Sequence, residues 1–318
     1  MNKKIIVYMP ALNEAKTIQK VLQSIPENIK GVQTITKLIV NDGSTDATEE
    51  EAKLAGATVI SHGVNRGVGF AFQTAVNYAL KEEADILVSI DADGQFDVNQ
   101  ISKMIQPIID EEASFCIGNR FAEKRHEHMP KIKHWGNMQV NKIISFITKT
   151  KIKDASCGFR AYSKKSLINL NLHGKFTYTH ETILDLINKG FKVEQIPVSV
   201  TYFEERKSRV ANNVLSYGYK TLKIITKSLR DYKPFYFFGM ISLIFFILAL
   251  ISGGFVLLHW ILKERITPYK FIGISSLIVF LVSIIFLVLA FLADMLGRIR
   301  LNQEKMLLML KQKKFNDD

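Results

Sequence analysis

The chain has 318 residues, 47% apolar and 23% charged, with a formal net charge of +12, which gives room for one large domain or two modest ones. Its two cysteines, Cys116 and Cys157, make neither a disulfide framework nor a CxxC metal pair, so a reducing compartment is expected and the disulfide-stapled classes are excluded. Many of the basic residues (Lys220, Lys223, Lys227, Arg230 and Lys233; Arg298, Arg300, Lys305, Lys311, Lys313 and Lys314) flank apolar segments, a placement that favours anionic lipid headgroups over nucleic acid.

In chain order, residues 5–9 read as a strand. Pro10, Asn13 and Glu14 interrupt this apolar run before a signal-peptide core can form, so no secretion signal is expected. Helical spacing follows over 15–24, then a strand over 36–41 that runs into Asn41-Asp42-Gly43-Ser44-Thr45-Asp46. A helix over 46–55, a strand over 58–61 and a helix over 71–80 come next, and Asn65-Arg66-Gly67-Val68-Gly69 precedes the last of these. The backbone amides of that turn, with Arg66, are expected to attract phosphate. A strand over 86–90 ends in Asp91-Ala92-Asp93-Gly94-Gln95, followed by a helix over 98–109, a strand over 115–117 and a helix over 179–189. Alternating strands and helices call for an α/β fold with a mostly parallel, Rossmann-like sheet and ligands gathered at the carboxyl ends of its strands.

Asp91 and Asp93 are the most informative pair. Two carboxylates one residue apart at the end of an apolar strand are costly unless a cation neutralises them, and alternate residues near a strand end approach one hard ion from related directions. Mg²⁺ or Mn²⁺ is therefore expected, with coordination positions left for diphosphate oxygens and Gln95 orienting the shell or meeting the acceptor. His126 and His128 have no third ligand at recognisable spacing and read as a solvated loop.

Residues 235–262 and 271–293 contain no Asp, Glu, Lys or Arg, and each stretch exceeds the roughly 20 residues that a spanning helix needs. The short link, residues 263–270, makes them a hairpin whose outer flanks lie on one side. Those flanks are the more basic, so the positive-inside rule puts the N-terminal domain and the C-terminal tail in the cytosol of an integral membrane protein. His259 and Trp260 fit an interfacial belt, and Gly253, Gly254 and Gly273 offer packing surfaces for a homo-oligomer.

Taken in order, several motifs resemble the family 2 glycosyltransferases, and within them the polyprenyl-phosphate glycosyltransferases of the dolichol-phosphate mannose synthase type. They are Pro-Ala-Leu-Asn-Glu (10–14), Asn-Asp-Gly-Ser-Thr-Asp (41–46), Asn-Arg-Gly-Val-Gly (65–69), Asp-Ala-Asp-Gly-Gln (91–95), Gly-Asn-Arg-Phe (118–121), Cys-Gly-Phe-Arg-Ala-Tyr (157–162) and Arg-Lys-Ser-Arg (206–209). The resemblance covers residues 5 to about 233 and implies a GT-A fold with an inverting single displacement. By position, it implies that Pro10, Ala11, Asn13, Glu14 and Asp42 hold the base and ribose of a UDP- or GDP-sugar, with Asp91 and Arg66 also on the donor side. It likewise implies that Asp91, Asp93 and Gln95 organise the metal, and that Arg120, Arg206, Ser208 and Arg209 grip the phosphate of a polyprenyl phosphate. Trp135-Gly136-Asn137 lacks an arginine often found there in mannose synthases, which leaves the sugar open. The expected organisation is a GT-A domain over 1–210, an amphipathic juxtamembrane helix over 211–234, the hairpin over 235–296 and a basic tail over 297–318.

A phosphate monoester is largely a dianion at neutral pH and attacks without a dedicated base. A hydroxyl acceptor would need one, and Glu181, with His180 beside it, is the first candidate. A processive polysaccharide synthase is disfavoured because neither Trp135 nor Trp260 is preceded by Gln-x-x-Arg. A non-catalytic membrane adaptor is disfavoured by the intact acidic and arginine positions.

Overall fold

The computed structural model describes residues 3–122, 131–172, 178–201, 222–223 and 226–316. Its Ile- and Val-rich runs form β1 (Lys3–Ala11), β2 (Val32–Asn41), β3 (Thr58–Ser61), β4 (Ile86–Ser89) and β5 (Phe115–Asn119), joined by β6 (Arg160–Ser163) and β7 (Val193–Pro197). These pair into one sheet in the order β3-β2-β1-β4-β6-β5-β7. Every neighbouring pair is parallel except those of β6, which runs antiparallel to both β4 and β5.

The five consecutive residues Ile5 to Met9 are wholly buried, as a central parallel strand covered on both faces should be. The covering helices are α1 (Ala15–Gln23), α2 (Thr48–Leu54), α3 (Val68–Lys81), α4 (Ile101–Ile109), α5 (Lys131–Thr148), α6 (Lys164–Asn169) and α7 (Thr179–Asn188). The helical spacing over 98–109 resolves into a 3₁₀ turn, Val98–Gln100, capped by the Asp97 side chain, followed by α4. From α3, Phe72 stacks on Tyr178 at 4.1 Å between ring centroids. The hydroxyl of Tyr178 in turn lies 2.8 Å from Ser89 Oγ at the end of β4.

The described residues divide into two compact units, one within Met1–Gly218 plus Leu307–Asp318 and the other within Tyr219–Met306. Two helices, α8 (Pro234–Lys263) in the second unit and α9 (Lys270–Asn316), which begins in the second unit and whose last residues belong to the first, are long and apolar enough to cross a membrane. The expected basic tail is therefore a continuation of the second apolar helix, because no Gly or Pro stop signal follows residue 293 other than Gly297 within the helix. Ser242 and Ser283 clasp the two helices, each hydroxyl donating to the other residue's carbonyl at 2.9 and 3.1 Å. A Cβ on Gly253 would lie 3.4 Å from Ser276 Oγ, and one on Gly273 would lie 3.6 Å from Val256. Two of the three glycines expected at a subunit interface thus pack within the hairpin, where small residues let helices approach closely. His259 stands edge-on to Tyr269 at 4.8 Å, near the helix link.

Candidate functional site at the carboxyl edge of the sheet

The ends of β1, β2 and β4 deliver the three acidic motifs to one edge. Asp42 directly follows β2 and is buried. Its Oδ1 accepts from the Arg66 amide at 2.9 Å and sits 2.8 Å from His62 Nδ1, and its Oδ2 accepts from the Gly67 amide at 2.8 Å. His62 Nε2 continues to Thr74 Oγ1 at 3.0 Å. The amides expected to face phosphate therefore donate to Asp42, because a buried carboxylate needs donors and this turn supplies them. Gly43, at φ +79°, lets the loop after β2 pack on this turn, since a Cβ there would fall 2.7 Å from the Asn65 nitrogen. The Arg66 guanidinium lies over the Phe70 ring, 4.3 Å from its centroid.

The loops after β1 and β2 interlock. Asn13, at φ +54°, donates its amide to Ser44 Oγ at 2.9 Å, and its Oδ1 accepts from the Thr45 amide at 2.8 Å. The Glu14 amide donates to Thr48 Oγ1 at 2.8 Å. Thr17 Oγ1, on α1, reaches both Glu14 Oε2 at 3.3 Å and the Ala92 carbonyl at 3.2 Å, tying the first motif to the third. Pro10 and Ala11 close β1 at the same edge, directly beside Val40 and Asn41. Burial, with Tyr178, Asp91 and Asp42 nearby, raises the Tyr8 phenol well above its ordinary pKa, so one buried tyrosine senses both carboxylates.

Asp91 lies against the backbone of Gly158, where a Cβ would sit 3.0 Å from each carboxylate oxygen. Only glycine leaves that carboxylate its place. Asp93 Oδ1 accepts from the Gln95 amide at 3.0 Å, and the Gln95 carbonyl accepts from the Thr201 amide at 2.9 Å. The turn is thereby fixed to the chain beyond β7. The Asp91 and Asp93 carboxylates, two residues apart just past β4, offer oxygen donors of the kind a hard divalent cation takes. Among the described residues no three His, Cys, Asp or Glu side chains converge.

Arg120, just past β5, makes a two-pronged pair with Asp154, Nε donating to Oδ2 at 2.7 Å and Nη2 to Oδ1 at 2.9 Å. Asp154 is fully buried. Arg160, also fully buried, donates to the carbonyls of Ala155, Cys157 and Thr179 at 2.6–2.7 Å and to Thr182 Oγ1 at 2.9 Å. It ties the 154–158 segment to the start of α7, whose first turn carries Glu181, partly exposed. Neighbouring His180 is buried. Desolvation, reinforced by the Arg160 charge, holds its imidazole down at about 4. Burial also pushes the Cys157 and Cys116 thiols up to about 12, so both are unreactive packing groups.

The structure thus gathers Pro10, Ala11, Asn13, Glu14, Asp42, Arg66, Asp91, Asp93 and Gln95 around the ends of β1, β2 and β4, with Arg120 at the end of β5. Arg206, Ser208 and Arg209 lie outside the described residues, as do His126, His128 and most of 211–234. His62, Asp154, Gly158 and Arg160 are members of the edge that the motifs alone left without a role. The signal for Asp154, Gly158 and Arg160 was the stretch 157–162 and the acid three residues before it, whereas no motif pointed to His62.

Comparison with known proteins fits this geometry. Residues 6–170 match the family model "Glycosyl transferase family 2". The UDP-N-acetylglucosamine–dolichyl-phosphate N-acetylglucosaminyltransferase of Methanococcus voltae is 30% identical over 237 residues, covering 68% of this chain and 93% of the relative. Glycosyltransferase AglJ of Haloferax volcanii is 25% identical over 305 residues, 95% of this chain and 96% of its own. Among solved structures, glucosyl-3-phosphoglycerate synthase of Mycobacterium tuberculosis, crystallised with Mn²⁺, UDP and glucosyl-3-phosphoglycerate, superposes with a TM-score of 0.56 at 19% identity, covering 71% of this chain and 79% of that one. This likeness establishes the GT-A fold. The chain belongs to glycosyl transferase family 2 and is a glycosyltransferase.

Proposed function

We propose that this enzyme transfers a sugar from a UDP- or GDP-sugar to a polyprenyl phosphate at the cytosolic face of a membrane, with inversion at the sugar carbon. One observation carries the reading: the acidic edge built from Asp42, Asp91 and Asp93 belongs to the same chain as two helices of membrane-spanning length. The Methanococcus voltae relative, whose name specifies a dolichyl-phosphate acceptor, supports the acceptor class.

In the proposed step an oxygen of the phosphate dianion bonds to the anomeric carbon as the bond from that carbon to the diphosphate oxygen breaks. The nucleoside diphosphate leaves with the electron pair. A dianionic nucleophile brings no proton to remove, so no general base is required. Pro10, Ala11, Asn13, Glu14 and Asp42 border the donor base and ribose, and the Asp42-anchored turn fixes Arg66 beside them. Asp91, Asp93 and Gln95 would hold Mg²⁺ or Mn²⁺, which when bound would neutralise charge growing on the departing diphosphate. Arg120, with Arg206, Ser208 and Arg209, attracts and orients the acceptor phosphate. Basic flanks beside the hairpin support an anionic lipid surface as the setting for this chemistry.

The test follows labelled sugar from a donor panel into organic-extractable lipid, using membranes that contain the full chain. Wild type is expected to label lipid, EDTA or Asp93→Asn to reduce labelling at least about a hundredfold, and Glu181→Gln to retain most of it. Labelling undiminished in EDTA and in Asp93→Asn would contradict the acid-pair role, while abolition by Glu181→Gln would favour a hydroxyl acceptor that needs a base.

A further inference from the structure

The pairing of Arg120 with Asp154 has a construction that surface ion pairs lack. Asp154 is fully buried and its carboxylate receives three donors from one residue: the Arg120 amide at 3.1 Å, Nε at 2.7 Å and Nη2 at 2.9 Å. Main chain and guanidinium of the same arginine are therefore locked to one acid, which fixes the plane of the guanidinium as well as its position. The acid sits in a tethered segment. The next residue, Ala155, donates its amide to Asn141 Oδ1 on α5 at 2.9 Å, while the Ala155 and Cys157 carbonyls accept from buried Arg160. Within the same short segment Gly158 backs Asp91. One stretch of chain, 154–158, thus sets the arginine at the end of β5 and the first acid of the 91–93 pair.

A guanidinium in this fork gives two of its N–H groups to the carboxylate, and the Arg120 side chain retains 13% exposure. That arrangement suits a phosphate monoester. Lysine would supply a point charge, whereas a planar fork held from behind presents fixed donors to tetrahedral oxygens. A buried acid behind the arginine also prevents its side chain from folding elsewhere when no ligand is bound, so little ordering is left to do on binding.

We propose that Asp154 is a positioning residue that pre-orients the Arg120 guanidinium for a phosphate-monoester acceptor, acting only through that arginine. The assignment of phosphate to Arg120 rests on the function proposed above, and Asp154 adds to it the device that sets acceptor affinity.

The experiment uses the full chain in nanodiscs, with farnesyl phosphate as the probe and farnesol as the control lacking phosphate, measured by calorimetry. Steady-state KM values for polyprenyl phosphate and for the nucleotide sugar are taken in parallel. Asp154→Asn, close in shape but neutral, is expected to weaken farnesyl phosphate binding and to raise acceptor KM by about tenfold or more, with donor KM held within about twofold. In an Arg120→Gln background, Asp154→Asn is expected to add nothing further, since coupled residues are non-additive. Should Asp154→Asn fail to fold, Asp154→Glu, which keeps the charge and shifts the carboxylate by one methylene, is expected to show the same acceptor-selective loss. Unchanged farnesyl phosphate affinity in a folded variant, equal losses for donor and acceptor, or an additive double variant would each overturn the proposal. So would wild type that binds farnesyl phosphate no better than farnesol. Wild type that binds farnesyl phosphate through this pair yet forms no glycolipid would sink the proposed function and leave the positioning role standing.

Discussion

Asp91 owes its location to a missing side chain. A Cβ at Gly158 would meet both carboxylate oxygens at 3.0 Å, closer than ordinary contact, and the opposing atoms belong to a short, stiff side chain. Gly158→Ala is therefore expected to displace Asp91 by several tenths of an ångström and to cut transfer by tens to a hundredfold, the scale of loss typical of misplaced reacting groups. The fold should survive, because this glycine is not held in the left-handed region. Paired thermal melts and initial rates check the outcome, and a rate within about twofold of wild type would show that the cradle is slack. Asp91, Asp93 and Asp42 were legible in the sequence because each lies within three residues of the end of an apolar run, and a charge in that position is conspicuous. Gly158, Asp154 and His62 were not, since their importance lies in what they touch across the sheet. The Asp42 network also corrects a reading made from local pattern, because the turn amides that looked ready for phosphate have an internal acceptor.

At the scale of elements, periodicity gave the five strands and helices that lead the chain, with boundaries shifted by a few residues. It passed over β6 and β7. Arg160-Ala-Tyr-Ser carries a charge at the start of what becomes a buried strand, and Val193-Glu-Gln-Ile-Pro has too few apolar residues to stand out. Burial of Arg160 is possible because three carbonyls and a hydroxyl receive its N–H groups, a compensation invisible before the chain folds. The same hub leaves a mark on α7. His180, buried beside that cation, has a folded-state pKa of about 4 against an ordinary 6.5. Between those values the unfolded chain binds more protons than the folded one, so this stability is full above about 6.5 and is lost as pH falls toward about 4. The loss is on the order of 3 kcal/mol. Melting temperature followed from pH 7.5 to about 4.5 should drop more steeply in wild type than in His180→Asn, and parallel profiles would show that His180 is not buried as a neutral ring.

For the whole molecule, the sequence revealed the division into an α/β unit and an apolar hairpin because charge vanishes from two stretches at a scale no soluble helix requires. The tail from Arg298 to Lys314 reads as helical and basic, but not as one unbroken helix with the second apolar stretch, since a shift from apolar to charged composition looks like a boundary even where the backbone does not break. Nor could the sequence assign the hairpin glycines, two of which face the partner helix within the chain. The two units make complementary contributions to the proposed reaction. One would supply an acidic edge that meets a nucleotide diphosphate through a divalent cation, and the other would supply two helices long and apolar enough to cross a membrane. The most direct measurement incubates membranes holding the full chain with a panel of UDP- and GDP-sugars and undecaprenyl or dolichyl phosphate, then identifies the lipid product by mass spectrometry. The account predicts a new lipid heavier than the polyprenyl phosphate by one glycosyl residue, with the phosphate retained as a monophosphodiester. Sugar recovered only on a hydroxyl acceptor, with the polyprenyl phosphate unchanged, would contradict it.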